Sequence, residues 1–317
     1  MKIVILGYSG LIGYSILENL IKDTSLDLIC VGRSIKKKPF KNDRVKYLKW
    51  NFNSFKKSNL LFLNKSHVII NCVGKTNIDL GNLEKINVDF VKKLLKYITN
   101  SQLKVRLLHI GSVSVYGGAQ NYLGQNKLIQ ENSVIKVNDL YSRSKLNGDI
   151  LIQNTIKKNF YKNFSFTILR ISNVFGKRKN SNLYSFVLFL LRSGYKIKSS
   201  DSVVYNFINV KDVSRAVKLV ISNLNVSKNK IYIVSDDCKQ IELYNVYRKY
   251  FKKKIIDIFI PISFIKFIIF FLPMPKKILN FFLMISSKVK YSNKKIKKEL
   301  NFIPKFSIIK IIKQPNE

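Results

Sequence analysis

Acidic residues are scarce in this 317-residue chain, where 18 Asp and Glu face 57 Lys and Arg and leave a net charge of +39. A surplus of this size is typical of proteins that bind a polyanion, either nucleic acid or an anionic membrane. Only nine of the basic residues are arginine, and the 48 lysines are spread over every segment rather than gathered in a basic tail. We therefore expect no nucleic-acid partner, and we interpret most of the charge as a solvated surface.

Cysteine and histidine are also rare. Cys30, Cys72 and Cys238 show neither paired nor CxxC spacing, which excludes a disulfide framework and a zinc-binding cysteine cluster. His67 and His109 are the two histidines of the chain, which leaves few residues for a histidine-rich metal centre or a Ser-His-Asp hydrolase site. We expect no metal, and a reducing, cytoplasmic setting.

Long uninterrupted apolar runs are missing as well. The most apolar segment, Ile255–Ile285, is broken at Pro261, Lys266, Pro273 and Pro275, whereas a bilayer-spanning helix needs about 20 continuous apolar residues. Two interpretations remain. The segment forms a pair of core helices, or it forms a hydrophobic surface that rests on a membrane beside lysines facing anionic lipid. The second would make a cytoplasmic protein weakly peripheral to the inner face of the membrane.

What the sequence does contain is a regular alternation of short apolar runs with amphipathic stretches. The N-terminal run lacks the length and cleavage site of a signal peptide and is typical of a buried strand. The predicted elements are strand Lys2–Leu6, helix Leu11–Lys22, strands Leu26–Val31 and Val68–Val73, helix Val88–Thr99, strand Val105–Ile110, helix Leu140–Lys158, strand Phe166–Ile171, a strand and helix over Tyr205–Leu224, strand Lys230–Val234 and helix Glu242–Lys252.

Alternation of this kind predicts an α/β fold, a Rossmann-type doubly wound parallel sheet with a smaller α/β C-terminal substrate lobe. The rhythm changes after Gly176. We therefore place the nucleotide-binding Rossmann domain at 1–176 and the substrate-binding lobe at 177–317, with 205–234 returning in part to the Rossmann sheet.

A glycine-rich motif, Gly7–Gly13, follows the first strand directly and opens the first helix. Glycines at these positions allow a tight turn and a close approach of the backbone to a pyrophosphate, which then meets a helix N-terminus. The motif predicts dinucleotide binding. The contacts would come from Gly7, Ser9, Gly10, Leu11, Ile12 and Gly13.

The end of the second strand carries Arg33 and Ser34 where an acidic residue would bind the ribose hydroxyls of NAD. Both side chains can pair with a 2′-phosphate, so the residues favour NADP(H), and NAD(H) stays open. A solvated loop arginine is the alternative. Asn51 and Phe52 close a further expected strand, between Leu26–Val31 and Val68–Val73, where an adenine would lie.

A YxxxK pair, Tyr141 and Lys145, begins a long predicted helix downstream of a strand that leads to Ser112. Three such pairs occur in the chain, about as many as chance produces from its tyrosines and lysines, so only this context selects one. In such a set the tyrosine exchanges a proton with an alcohol or carbonyl oxygen, and the lysine lowers the phenol pKa and binds the nicotinamide ribose. The serine holds the same substrate oxygen.

These segments together resemble the extended short-chain dehydrogenase/reductases, in particular the NAD-dependent epimerase/dehydratase family that acts on nucleotide sugars. The resemblance covers nearly the whole chain. The segments that carry it are Gly7–Gly13, Val68–Gly74, Asn87, Ser112–Gly117, Tyr141–Asp149, Leu169–Gly176, Phe207–Val213 and Lys294–Pro304.

The resemblance implies a catalytic set of Ser112, Tyr141 and Lys145. It implies that the nicotinamide side of the cofactor site is lined by Cys72, Val73, Gly74, Asn87, Ile171 and the catalytic pair Tyr141 and Lys145. It implies a substrate side formed by Ser114, Tyr116, Asn173, Arg178 and Tyr205. It also implies a homodimer, formed through the helices near Val88–Thr99 and Leu140–Lys158.

Two departures from the family pattern bear on the reaction. Family dehydratases carry an Asp-Glu pair where this chain has Val113 and Ser114, so dehydration is not expected. Tyr205 stands where many relatives have an arginine that grips the diphosphate, and the basic run 177–179, which contains Arg178, would substitute.

We therefore expect an NAD(P)-dependent nucleotide-sugar 4-ketoreductase in surface-polysaccharide sugar synthesis, acting on a nucleotide-diphosphate sugar. A nucleotide-sugar 4-epimerase is the alternative reaction, because it uses the same residues but retains NAD through the catalytic cycle. A non-catalytic member that senses NADP(H) or binds RNA is the alternative of another class.

Overall fold

The structure, a computed structural model, describes residues 1–35, 38–52, 54–55, 57–76, 83–157, 163–176 and 182–313. The strands, numbered in chain order, are β1 (Lys2–Leu6), β2 (Asp27–Gly32), β3 (Val45–Lys49), β4 (Val68–Asn71), β5 (Val105–Ser112), β6 (Lys127–Ile129), β7 (Phe164–Ile171), β8 (Asn173–Phe175), β9 (Tyr195–Lys198), β10 (Val204–Asn209), β11 (Lys230–Val234), β12 (Asp236–Lys239), β13 (Ile256–Phe259) and β14 (Val289–Tyr291).

The helices, numbered in the same way, are α1 (Leu11–Leu20), α2 (Phe90–Asn100), α3 (Gly118–Asn121), α4 (Leu140–Lys157), α5 (Asn182–Ser193), α6 (Val210–Ser222), α7 (Gln240–Phe251), α8 (Ile262–Phe271), α9 (Lys276–Ser286), α10 (Lys294–Leu300) and α11 (Ile308–Lys313). A π-helical turn, Lys85–Asp89, leads into α2. Short 3₁₀ segments lie at Lys57–Leu63 and Val113–Tyr116.

Within the described residues, seven parallel strands form the central sheet in the order β3-β2-β1-β4-β5-β7-β11. Strand β4 is buried along its whole length, as are four of the five residues of β1, and this is why both read as continuous apolar runs. Helices α1 and α6 pack on one face of the sheet, and α2 and α4 pack on the other. This confirms the predicted doubly wound α/β fold.

The remaining strands build the second lobe. Strand β10 lies between β8, its parallel partner, and β12, its antiparallel partner, while β13 pairs with β9 and β14 with β6. Strand β11 returns to the central sheet and pairs with β7. Since β8 follows β7 after a single residue, the second lobe begins directly beside the carboxyl edge of the central sheet.

The apolar segment 255–285 does form two helices, but the prediction that both belong to the core is wrong for the first. Helix α9 contributes the buried Met284 and Ile285 to the core of the second lobe. In α8 only Ile265 is fully buried, and the opposite side of the helix faces outward. In the described part of the chain no helix combines the length and apolarity needed to cross a bilayer.

Candidate active site

The site residues gather at the carboxyl edge of the central sheet, where the strand order reverses between β1 and β4. Open α/β sheets bind ligands in the crevice at such a switch point, because the connections leave the sheet in opposite directions there. The Gly7 turn lies on one side of this crevice, and the segments that follow β4 and β5 lie on the other.

The glycine turn fits a cofactor pyrophosphate. Gly7 has a φ of +82°, and a Cβ on it would lie 3.2 Å from the carbonyl carbon of Cys72, so the turn packs directly against the end of β4. A Cβ on Gly13 would lie 2.3 Å from the Gly7 carbonyl oxygen, so the helix can approach the turn only with glycine there.

Helix α1 begins at this turn without a capping side chain. Gly10 is its N-cap residue, and the first turn holds no acidic residue. The first N–H groups of a helix have no partner within the helix and attract negative charge. The donors at this end of α1 therefore suit the phosphates of a dinucleotide, and Ser9 and Gly10 are exposed beside them.

Arg33 is exposed immediately after β2, as a contact to a ribose phosphate requires. Its neighbour Gly32 lies against the ring of Tyr8, whose hydroxyl donates to the Ser34 carbonyl oxygen at 3.3 Å. These contacts tie the loop after β2 to the glycine turn, so Arg33 lies beside the dinucleotide-binding segment.

The strand expected to close at Asn51 and Phe52 ends earlier, because β3 stops at Lys49 and leaves both residues in the following loop. Asn51 is exposed. The Phe52 ring contacts Trp50 edge-on at 5.2 Å and Phe90 at 5.4 Å, so its main contacts are with an aromatic cluster.

The segment after β4 is held by buried amides. The Asn71 Oδ1 accepts from the Val73 N–H at 3.0 Å, and Asn87 bonds both the N–H and the carbonyl oxygen of Lys75. Asn87 also donates to the Ser144 Oγ on α4 at 2.9 Å. In this structure Asn87 therefore joins the segment after β4 to the helix that carries Tyr141, and Cys72, Val73 and Gly74 line the crevice between them.

Ser112, Tyr141 and Lys145 come together as predicted. Ser112 ends β5 and hydrogen-bonds the partly buried Tyr141, while Lys145 lies one turn along α4. The Lys145 Nζ donates to the Ile110 carbonyl oxygen at 2.6 Å and would lie 3.9 Å from a Cβ on Gly74. Ile171 at the end of β7 is the strand neighbour of Ser112.

The pKa of Tyr141 departs from the expected direction. Burial raises it, and the charges of Asp139 and Asp149 add to the rise, while the Ser112 hydrogen bond opposes it. The pKa of Lys145 is itself lowered by burial, against the opposing charge of Asp149. Tyr141 therefore holds its proton over the neutral pH range.

Three residues near the catalytic set were missed from the sequence: Arg170, His109 and Asn71. The Arg170 Nε donates to the Asp149 Oδ2 at 2.9 Å, and the Asn71 Nδ2 lies 3.1 Å from the His109 Nδ1. The His109 Nε2 lies 3.9 Å from the Asp149 Oδ1. The spacing of Asp149, one turn after Lys145, is the sequence signal that points to this buried cluster.

The predicted substrate residues do not all reach the crevice. Tyr116 is fully buried, and its hydroxyl donates to the Glu131 carbonyl oxygen and accepts from Arg170. Tyr205 is 1% exposed in the core of the second lobe, where its hydroxyl accepts from the Gln240 Nε2 at 2.6 Å. Neither ring is free to contact a substrate, because each is packed on all sides and its hydroxyl is engaged.

The other predicted substrate residues are Ser114, Asn173 and Arg178. The Ser114 Oγ is buried and has no hydrogen-bond partner among the described residues. Asn173 is exposed and donates to the Asn206 carbonyl oxygen at 3.1 Å, which leaves its own Oδ1 available. Arg178 lies outside the described residues.

A family model described as the NAD dependent epimerase/dehydratase family matches residues 3–235. The chain belongs to this family. As a member of it, the protein is an enzyme of the extended short-chain dehydrogenase/reductase type, and the family match includes the glycine turn, Ser112, Tyr141 and Lys145. No curated protein sequence matches the chain.

Solved structures of the epimerase/dehydratase type share the fold. UDP-glucuronic acid 4-epimerase from Bacillus cereus, in complex with NAD, has a TM-score of 0.72 at 16% identity, covering 99% of this chain and 94% of that one. The dTDP-glucose 4,6-dehydratase from Bacillus anthracis, also with NAD, gives 0.71 at 15%, covering 99% and 94%. UDP-glucose 4-epimerase from Thermotoga maritima, with UDP-glucose, gives 0.70 at 16%, covering 99% and 96%.

Proposed function

We propose that this family member is an NADP(H)-dependent 4-ketoreductase of nucleotide-diphosphate sugars, in a pathway that makes sugars for surface polysaccharides. The observation that carries the proposal is the hydrogen bond between Ser112 and Tyr141, with Lys145 one turn further along α4. These three side chains can hold one carbonyl oxygen and deliver a proton to it.

A protonated Tyr141 fits the reducing direction. A phenol that keeps its proton at neutral pH is ready to donate it to the C4 oxygen of a keto sugar, and Ser112 orients that oxygen. The nicotinamide, when bound, supplies the hydride that reaches C4. The cation of Lys145 then stabilises the phenolate that the proton leaves behind.

Residues beside the catalytic set weigh against dehydration. Elimination of water needs an acid and a base in addition to the tyrosine, and Val113 and Ser114 stand where that pair would lie.

Arg33 supports NADP(H) over NAD(H), because an exposed guanidinium at the end of β2 can pair with a 2′-phosphate. A 4-epimerase is the second candidate. It is favoured by fold neighbours crystallised with NAD, among them a UDP-glucuronic acid 4-epimerase.

The test begins with the cofactor that co-purifies with the protein, followed by turnover of a UDP-4-keto-6-deoxy sugar. A ketoreductase releases its oxidised cofactor, so we expect stoichiometric NADPH oxidation and little retained nucleotide. Tightly retained NAD, interconversion of UDP-sugar C4 epimers and no net NADPH oxidation would favour the 4-epimerase and overturn the ketoreductase proposal. Neither reaction, together with steeply salt-dependent RNA binding, would favour the non-catalytic alternative.

The homodimer implied by the family resemblance stays a prediction. The outward face of α2 carries Lys92, Lys93 and Lys96, all exposed. Two copies meeting through this face would bring like charges together, so we expect a dimer formed there to strengthen with salt. Light scattering at low and high ionic strength tests this.

A further inference from the structure

The outer face of helix α8 is formed by phenylalanines. Phe264, Phe267 and Phe271 follow the helical spacing of one face, and Phe270 lies beside them. Their exposed fractions are 53%, 55%, 61% and 82% in the order Phe264, Phe267, Phe271, Phe270. The rings of Phe267 and Phe271 lie 4.7 Å apart and those of Phe270 and Phe271 lie 4.9 Å apart, so they form a continuous aromatic surface.

The opposite face of α8 attaches the helix to the second lobe. Ile265 is fully buried, and Ile262 packs against Gly124, where a Cβ would lie 2.8 Å from the Ile262 Cγ1. The helix is therefore anchored by one side, and its phenylalanine face points away from the core.

An aromatic surface of this kind is unusual for a protein that meets only water. Single exposed apolar residues are ordinary, but a contiguous patch marks a site of contact with another apolar phase or molecule. Leu272 follows directly and is 55% exposed, so the apolar surface continues past the end of the helix.

The charges around the aromatic patch indicate which kind of partner it contacts. No acidic residue occurs between Asp257 and Glu299, whereas nine lysines do. Lys266 is exposed on α8 itself, and Lys252, Lys253 and Lys254 are exposed just before β13. A second copy of this chain would bring the same positive charges into contact, while an anionic phospholipid surface complements them.

The length of α8 determines the geometry of the contact. Ten residues of helix extend about 15 Å, half the thickness of the hydrocarbon core of a bilayer. Such a helix lies in the plane of the interface, with its aromatic face in the acyl boundary and lysines at the headgroups.

We propose that the phenylalanine face of α8 docks the protein on an anionic phospholipid bilayer. The docking is independent of the reaction proposed above. It would hold the second lobe against the membrane while leaving the central sheet in solution.

Sedimentation with vesicles tests the proposal on the full chain. Vesicles of phosphatidylcholine alone are compared with an equimolar mixture of phosphatidylcholine and phosphatidylglycerol, at low and high salt. We expect binding to the anionic vesicles that weakens with salt. We expect a loss of about tenfold in the double variant Phe267→Ser/Phe271→Ser, since removing two partly inserted rings costs about that factor.

The matched control is Leu61→Ser/Val134→Ser, which removes two residues that are 55% and 67% exposed outside 255–285. Equal loss in both double variants, or no loss in either, overturns the proposal. Light scattering of the free protein gives the competing outcome: a wild-type dimer that becomes monomeric only in the phenylalanine variant would assign the face to a second copy.

A single substitution gives a readout that does not depend on the double variant folding. The chain has one tryptophan, the buried Trp50. In Phe267→Trp, a new exposed indole reports on its own surroundings. We expect a blue shift of the emission with anionic vesicles and quenching by brominated lipid. An emission unchanged by either overturns the proposal.

Discussion

Arg170 and Asp149 form a buried ion pair near Lys145, with the Arg170 Nε 2.9 Å from the Asp149 Oδ2. Gly111 makes room for the pair, because a Cβ there would lie 3.3 Å from both the Arg170 Cγ and the Asp149 Oδ1. Burial raises the pKa of Asp149, and the charges of Arg170 and Lys145 oppose the rise. The Asp149 carboxyl therefore interacts with both buried basic groups.

Asp149→Asn should reduce both stability and activity. It leaves Arg170 and Lys145 without their counter-charge, so we expect a loss of about 3 kcal/mol in the free energy of unfolding. Because Asp149 raises the pKa of Lys145, its removal should also lower that pKa and shift the pH profile of kcat to lower pH. Urea denaturation and pH-dependent kinetics measure the two effects.

The control for that variant is Asp139→Asn, an exposed acid at the start of the same helix, where its Oδ1 accepts from the Ser142 N–H at 2.8 Å. The asparagine amide oxygen can still accept this bond, so we expect a loss of less than about 0.5 kcal/mol. Equal losses in the two variants would contradict the buried pairing.

Tyr141→Phe should remove turnover, to below about 1% of wild type, since the proton donor is lost. Cofactor binding should stay within about threefold, because the phenyl ring is retained. Steady-state kinetics and fluorescence titration measure both. The matched control is Tyr250→Phe, which belongs to another YxxxK pair on an exposed surface and should behave as wild type. Several per cent of residual activity in Tyr141→Phe would contradict the assigned site.

Arg33→Asp should reverse the cofactor preference. The guanidinium is replaced by a carboxylate that repels a 2′-phosphate and can bond ribose hydroxyls, so the KM for NADPH should rise about tenfold or more while that for NADH falls. Lys38→Asp makes a charge change of the same sign on the same loop and should leave the preference unchanged. If both variants raise the KM for NADPH equally, the cofactor preference depends only on the general charge of the loop.

The two glycines of the turn should separate stability from binding. A Cβ on Gly10 meets only ordinary contact, 3.4 Å from the Gly7 carbonyl oxygen, and its backbone is extended, so Gly10→Ala should keep the melting temperature. It should weaken the dinucleotide about tenfold, since the methyl group lies where the pyrophosphate approaches. Gly13→Ala meets that oxygen at 2.3 Å and should lower stability by about 2 kcal/mol. Thermal melting and cofactor titration measure the two effects. Normal binding of the dinucleotide by Gly10→Ala would refute the prediction.

His109 should make stability fall in mild acid. Burial and the charge of Lys145 hold the pKa of His109 well below the ordinary value of 6.5. Above pH 6.5 the imidazole is neutral in both the folded and the unfolded protein, so it contributes no pH dependence to the free energy of unfolding. As pH falls below 6.5 the unfolded state gains a proton first, so the free energy of unfolding decreases by up to about 1.4 kcal/mol per pH unit.

His109→Asn isolates this effect, because the amide keeps an acceptor toward Asn71 and takes no proton. The difference in the free energy of unfolding between wild type and variant, measured from pH 7.5 to 5, should shrink toward acid. A difference that stays constant with pH would show that the pKa of His109 is the same in the folded and unfolded states.

Local pattern was enough for the parts of the protein whose contacts lie close together in the chain. Strands β1 and β11 have the predicted bounds, and the glycine turn joins β1 to α1 as expected. The spacing of Tyr141 and Lys145 brings them one turn apart on α4, because 3.6 residues per turn is a property of the helix itself.

Tertiary structure alone decided which side chains face a ligand, the core or the surroundings. Tyr205 sits at a position that looks like a binding residue, but strands β8 and β12 enclose it and Gln240 takes its hydroxyl. Helix α8 reads as core by composition, yet the lobe covers only the side that bears Ile265. Burial is set by segments that are distant in the chain and adjacent only after folding, so no local pattern contains it.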